Sequence, residues 1–417
     1  MTSSPYPRLH APMRGGALLA VLIILLLAAS AALAAAGRSA HRAGLLAGAR
    51  NVALLAEAKT ALLGYAVQYP EIHPGEELGY LPCPDRNQNG SAQSPCHARN
   101  HGAFGWLPWR TLGLPAARDG HGQCLWYAVA GSIKNSPKPA TLNWDSPGQF
   151  EIVDSAGRTL GGAGYSAAAV ILAPGEALPG QARPPANTPH CPGSASAAAD
   201  LPAFIDHPHA LDLEGNIAIV HGLPGSNVND LAAWLTVDEI FAVLRRRTGF
   251  SATLDTVLDI AAATLQTRLG DPAFLAAHAD SVHDNRAHGR LPDAAGFGVP
   301  PGQENLYNNW HDQMRFAACI DGSACLTAIL TDSALSPSAA ATETCRALII
   351  FGGERQRGGG MAQQRRSASE RADAAQYLEG ANLTSFTAGA GHYAGHRHYA
   401  IADPRQPASE DLIRCIP

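Results

Sequence analysis

The chain has 417 residues, a formal net charge of −5, eight cysteines, 42 glycines and 30 prolines. The charge excludes the basic footprint of a nucleic-acid-binding domain, and so much Gly and Pro with few aromatics argues against a helical bundle. The length leaves room for about two ordinary domains.

A short leader, Met13-Arg14-Gly15-Gly16, precedes 20 consecutive residues, Ala17 to Ala36, that carry no charge; the remaining 381 residues hold no comparable block. At about 1.5 Å per residue this block spans roughly 30 Å, one bilayer core. Small and aliphatic residues then recur with helical spacing at Leu45, Ala49, Val52, Leu55, Leu62 and Ala66, and Pro70 and Pro74 stop the pattern. The reading is a leader over 1–16 and a helix over 17–69 whose segment 17–36 crosses a membrane. A secretory signal peptide is the competing reading, with its apolar region over Ala17 to Leu27 and Ala34-Ala35-Ala36 as the cleavage site. All eight cysteines lie beyond the anchor, which fits a head in an oxidising compartment.

A turn-dense region follows, from Leu81-Pro82-Cys83-Pro84-Asp85 to Pro115. Within it Asp85-Arg86-Asn87-Gln88-Asn89-Gly90 has oxygen-bearing side chains at alternate positions and a closing glycine, the first half of a Ca²⁺ loop. The twelfth position is Cys96 where an EF-hand needs Glu, so an EF-hand is excluded. Two readings remain: a shorter Ca²⁺ loop using Asp85, Asn87 and Asn89, or an Asx-rich turn closed by Cys83 and Cys96. Proximity favours Cys83 with Cys96 and Cys319 with Cys325; pairing of Cys124, Cys191, Cys345 and Cys415 is open.

Strands are expected at Cys124–Val129, Phe150–Val153 and Ala167–Leu172, and a loop over 174–200. Thr236 and Glu239 form a capping box for a helix carrying Ile240, Val243 and Leu244. Arg245-Arg246-Arg247 suits that helix's last turn, with phosphate binding as the alternative use, and Gly249 ends it. A further helix is expected over Leu254–Leu269. The division into domains is 70–230 and 231–417.

The second domain echoes the first in order. Leu81-Pro82 returns as Leu291-Pro292, Phe104-Gly105 as Phe297-Gly298, and Ala169–Glu176 as Ala347–Glu354. A degenerate tandem repeat and chance both account for this. Histidines at His207 and His209, and at His392, His396 and His398, have metal-ligand spacing, but exposed loop histidines are the simpler reading. Trp106, Trp109 and Trp126 suit a core or a ligand groove. No G-x-S-x-G, S-x-x-K, H-E-x-x-H or C-x-x-C occurs, so no catalytic residue is assigned and no enzyme is expected.

An apolar anchor helix running on into a globular head resembles the type IV pilins and pseudopilins. The Arg-Gly-Gly-Ala-Leu-Leu junction resembles a prepilin peptidase site, which places cleavage at Gly16/Ala17 or, one residue earlier, after Gly15. Asp119-Gly120-His121-Gly122-Gln123-Cys124-Leu125-Trp126-Tyr127 is similar to the major-pseudopilin signature, with Asp119, Gly122 and Tyr127 in register while His121 and Cys124 depart from it. Leu81–Asp85 and Gly105–Gly113 resemble blocks of large prepilin-like proteins of Gram-negative bacteria. The resemblance covers roughly residues 13–180. It implies an α+β chain: a long transmembrane helix, then a disulfide-containing, β-rich head that a repeat would duplicate. It further implies a single-pass inner-membrane subunit whose partners are prepilin peptidase and other pilin or pseudopilin subunits, with Ca²⁺ as a family cofactor. Mature position five is Val21 (Ala20 with the earlier cut), not the usual Glu, and the head is large. Both imply a tip or priming subunit of a type II secretion or type IV pilus system. Two rivals are an anchored or secreted periplasmic binding or adhesion protein, and a hydrolase whose residues are dispersed beyond motif recognition.

Overall fold

The computed structural model describes residues 15–74, 76–161, 166–184, 191–207, 210–222, 228–333, 339–356, 362–400 and 411–417. Helix α1 (Gly15–Val67) has 53 residues, about 80 Å at 1.5 Å per residue. Its first part is bare: Leu19, Val21 to Leu27 and Leu33 are exposed. From Asn51 onward one stripe turns inward, formed by Asn51, Leu55, Ala58, Leu62, Tyr65 and Ala66. Steps of three and four residues keep these side chains on one face. Pro70 opens the single turn α2 (Tyr69–Ile72), which ends the helical run.

The docked stripe packs on a seven-stranded sheet. Its strands are β1 (Gly102–Trp106), β2 (Trp126–Val129), β3 (Phe150–Val153), β4 (Ala167–Ala173), β5 (Asp212–Leu213), β6 (Ile217–Val220) and β7 (Leu231–Thr236), with α3 (Ala197–Phe204) between β4 and β5. Strand β4 is central. β2 and β7 flank it antiparallel, while β3 touches its start and runs parallel to β6. All seven residues of β4 are buried, so its apolar run is continuous rather than alternating, as expected of a strand covered on both faces. Helix α1 lies against β4 and β7.

The strands expected at 124–129, 150–153 and 167–172 are β2, β3 and β4. Two expectations need correction. The loop assigned to 174–200 gives way to α3 at Ala197. Strand β7 pairs with β4 from Leu231 to Thr236, so the first sheet extends past the division placed at residue 230.

Thr236 then caps α4 (Val237–Leu244) through the expected box with Glu239. The second half contains α5 (Phe250–Arg268), α6 (Pro272–His278), α7 (Ala294–Phe297), α8 (Glu304–Trp310), α9 (Ala368–Ala372) and α10 (Gly380–Ala388). Its strands are β8 (Ala279–His283), β9 (Arg286–Arg290), β10 (Met314–Cys319), β11 (Leu326–Thr331), β12 (Ala341–Cys345), β13 (Ala347–Phe351), β14 (His392–His396) and β15 (Leu412–Ile416). They form one sheet in the order β12-β11-β14-β15-β13-β10-β9-β8, and α5 lies across β13 and β15.

The halves share one core that runs from Leu55 to Ile416. Trp144 meets Trp310 edge-on with ring centroids 4.8 Å apart, and Asn143 Nδ2 donates to the Asn309 carbonyl at 2.8 Å. Asp145 is buried beneath Arg365 at 3.0 Å and Arg355 at 2.9 Å. Four disulfides cross-link the head: Cys83–Cys96, Cys124–Cys191, Cys319–Cys325 and Cys345–Cys415. Both pairs favoured by proximity are among them.

Candidate functional site: the anchor helix and its seat

Gly15, Gly16 and Ala17 form the first turn of α1; Met13 and Arg14 lie outside the described residues. One helix therefore carries the Gly15-Gly16-Ala17 segment, the apolar span and the docked segment without a break. It is long and apolar enough to cross a membrane, and four disulfides fit a head in an oxidising compartment.

The helix leaves the head at the turn that carries Asp119, Gly120 and Gly122. Asp119 is buried. Its Oδ1 accepts the amides of His121 and Gln123, each at 2.8 Å, and its Oδ2 accepts the Gly175 amide at 2.8 Å. One carboxylate thus closes its own turn and ties it to the end of β4. Burial raises its pKa above the ordinary carboxylate value, against the lowering pull of those three amides. Gly122 sits at φ +79°, the left-handed region that glycine enters without strain. The neighbouring Gly120 donates its amide to Asn51 Oδ1 of α1 at 2.5 Å. A Cβ on Gly120 would lie 2.5 Å from the Cα and Cβ of Ala47, so backbone meets helix directly there. Tyr127 is fully buried, and its hydroxyl donates to the Pro82 carbonyl at 3.1 Å, joining the Leu81-Pro82 block to β2.

At the other end of the docked segment, charged residues fasten α1. Lys59 pairs with Glu239 at 2.6 Å, so the capping-box glutamate serves α1 and α4 together. The arginine triplet lies beyond the end of α4, not in its last turn. Arg247 donates to the Val67 carbonyl at the C-terminus of α1 and to Glu71. Arg245, just past the end of α4, pairs with Glu354, just past the end of β13. Sequence reasoning treated these arginines as dipole partners and missed that they stitch elements together. It also missed Asn51, although an amide in an otherwise apolar stripe is a visible signal.

The Asp85 loop is a chain of Asx turns. Asp85 Oδ1 accepts the Asn87 amide at 2.9 Å and Oδ2 the Gly90 amide at 2.6 Å. Asn87 Oδ1 accepts the Asn89 amide at 3.3 Å, and Asn89 Oδ1 accepts the Ser91 amide at 2.8 Å. Each oxygen expected to face a cation is turned onto backbone, and burial raises the Asp85 pKa. The loop is closed by Cys83–Cys96 and packed against Trp109, which a Cβ on Gly90 would strike. Of the two readings of this segment, the geometry fits the disulfide-closed turn.

Among the other sequence candidates, Trp106, Trp126, His396 and His398 are taken up by contacts within the fold. Trp106 and Trp126 are buried, 5.0 Å apart. His396 Nδ1 bonds Thr331 Oγ1 at 2.6 Å and His398 Nδ1 lies 3.0 Å from Asp255; His392 is exposed on β14. His209 lies outside the described residues. Among the described residues, no three His, Cys, Asp or Glu side chains converge to hold a metal ion. Phe297 ends helix α7 whereas its supposed counterpart Phe104 is in β1, so that sequence echo has no structural parallel. Comparison with protein-family profiles, curated proteins and solved structures returned no match.

Proposed function

We propose that this chain is a minor pilin- or pseudopilin-like subunit, anchored by α1, that sits at the tip of a type II secretion or type IV pilus fibre or primes its assembly. One observation carries the reading: α1 is a single helix whose apolar half is bare and whose second half is clamped on an antiparallel sheet. Such a subunit can leave the bilayer by packing its bare half against other anchor helices, replacing lipid contacts with protein contacts. Val21 or Ala20, whichever cut is used, cannot make the intersubunit charge contact that a Glu makes in shaft subunits. A head of two sheets is also wider than a closely stacked shaft tolerates, and the tip has no neighbour above it.

The same reading takes the second half as a degenerate repeat. In each half, four antiparallel strands neighbour one another, β1-β2-β4-β7 and β9-β10-β13-β15. A helix lies on the last two in each case, α1 or α5. Each half also inserts a parallel pair at equivalent places in the chain, β3 with β6 and β11 with β14. Helix α5 takes the place of α1 without an apolar extension.

N-terminal sequencing of the protein extracted from membranes, with and without co-expressed prepilin peptidase, tests the assignment. Cleavage after Gly16 or Gly15 that depends on the peptidase is expected. A mature chain beginning at Gly37, or an intact Met1, overturns it.

A further inference from the structure

The first sheet has two ends. One faces the bare part of α1, because Gly120 and Gly175, joined through Asp119, lie beside Ala47 and Asn51. The other faces away from it: Asn135 bonds Tyr65 and the Gly79 amide reaches the Ala66 carbonyl near the helix C-terminus. Strand register puts the start of β1, the end of β2 and the starts of β3 and β6 at this far end. Loops from these strand ends line an open cavity of about 350 Å³, and Arg371 of the second half forms one wall. The cavity is at the small end of the range for ligand pockets.

Its floor is built rather than incidental. Gln149 is buried; its Oε1 accepts the Gly131 amide at 3.0 Å and its Nε2 donates to the carbonyls of Leu213 and Gly215, each at 2.7 Å. One side chain thereby closes the β2–β3 connection at its base and ties it to the β5–β6 connection. Ser132 Oγ donates to the Pro147 carbonyl at 2.6 Å, a second brace across the same β2–β3 connection. Arg371 is held as well: its Nε donates to the Arg365 carbonyl at 3.0 Å, and its own carbonyl accepts from the buried Arg315 at 2.8 Å. Among the described residues, the remaining guanidinium donors of Arg371 and the side-chain polar groups of Asn100, Thr141 and Asn216 make no hydrogen bond to protein. Two carboxylates bear on the local charge. Asp312 is half-buried and interacts with Arg371 electrostatically, and Asp212 on the flank is paired with His101 at 2.9 Å.

We propose that this membrane-distal cavity binds an acidic saccharide, with Arg371 on the sugar carboxylate. A guanidinium held at Nε presents its outer donors as a fork, the geometry that a carboxylate takes with two parallel hydrogen bonds. Asn100, Thr141 and Asn216 each offer donor and acceptor, which matches sugar hydroxyls that are both. Pro139, Ala140 and Pro147 supply the apolar wall that the C–H face of a pyranose ring needs. An acidic peptide would also satisfy Arg371, but the hydroxyl- and amide-bearing wall favours a polyhydroxylated ligand. The proposal goes beyond fibre assembly, and its test is independent of leader cleavage.

The experiment is a calorimetric titration of the full-length chain in detergent with digalacturonate, neutral galactobiose and triglutamate. Digalacturonate should bind at least about tenfold more tightly than either control, a difference of about 1.4 kcal/mol. Arg371→Gln should abolish that preference, and Arg371→Lys should restore it only in part because an ammonium lacks the fork. Asn216→Ala, at an exposed turn, should weaken both sugars without lowering the melting temperature. No heat with digalacturonate at millimolar concentration, unchanged binding by a folded Arg371→Gln variant, or equal binding of triglutamate overturns the proposal.

Discussion

Asn51 and Gly120 form the joint at which α1 leaves the head, through an amide-to-Oδ1 bond of 2.5 Å with the helix backbone in direct contact. The joint tolerates neither a larger residue on the turn nor loss of the acceptor. Gly120→Ala should overpack the contact with Ala47 and cost about 1–3 kcal/mol. Asn51→Ala should cost a similar amount by leaving the Gly120 amide unpaired. Urea unfolding of the purified chain measures both. Wild-type stability in either variant would mean that the helix is not seated there.

The contact between the halves rests on buried charge. The side chains of Arg365 and Asp145 are 0% and 3% exposed. The Tyr377 ring lies between two guanidiniums, 4.0 Å from Arg315 and 4.2 Å from Arg365. Removing one partner of such a pair leaves an uncompensated charge, so Asp145→Ala should destabilise by about 3–5 kcal/mol. Because Asp145 belongs to the first half and Arg365 to the second, scanning calorimetry should resolve two transitions in the variant and a single one in the wild type. A single, unshifted transition would refute the coupling.

The sequence discloses those parts of the fold that depend on local chemistry. The apolar run Ala17–Ala36, the capping box at Thr236 and Glu239, and the strands at 150–153 and 167–173 need only neighbouring residues to be recognised. Short loops likewise make Cys83–Cys96 and Cys319–Cys325 visible. The remainder is set by long-range contact. Nothing within 20 residues of Arg247 says that it meets Val67, and nothing near Leu231 says that it pairs with Ala173. The Asp85 loop was ambiguous for a different reason: alternating oxygens serve a cation or the backbone amides of the same turn equally well, and the direction of each side chain decides. Arg371 and the far-end cavity left no sequence signal, since its lining comes from six separated segments.

The disulfides should contribute unequally. Cys345–Cys415 and Cys124–Cys191 close separations of 70 and 67 residues, against 6 for Cys319–Cys325. Loop-closure entropy predicts roughly 4 kcal/mol for each long loop and about 2 kcal/mol for the short one. Paired Cys→Ser variants compared by thermal unfolding test the order, and non-reducing peptide mapping tests the connectivity. A larger loss from the Cys319/Cys325 variant than from Cys345/Cys415 would contradict it.

Glu77 should make the head less stable as the pH rises through the acidic range. Burial pushes its pKa from 4.5 up to about 7, and its nearest titratable neighbours include Tyr80, which is itself raised by burial. Below about pH 4.5 the carboxyl is protonated folded or unfolded, and folding bears no charge-burial cost. Between about 4.5 and 7 the folded chain binds more protons than the unfolded chain, so stability falls as pH rises. Above about 7 the full cost is present, on the order of 2 kcal/mol once partial solvent contact is allowed for. Asp85 and Asp119 are shifted in the same direction, so the wild-type profile alone does not isolate this group. The difference between wild type and Glu77→Gln does: the variant should match the wild type near pH 4 and exceed it by that amount at pH 8. Denaturant midpoints measured at both pH values decide it, and a variant no more stable than the wild type at pH 8 would show that Glu77 is solvated in the folded chain.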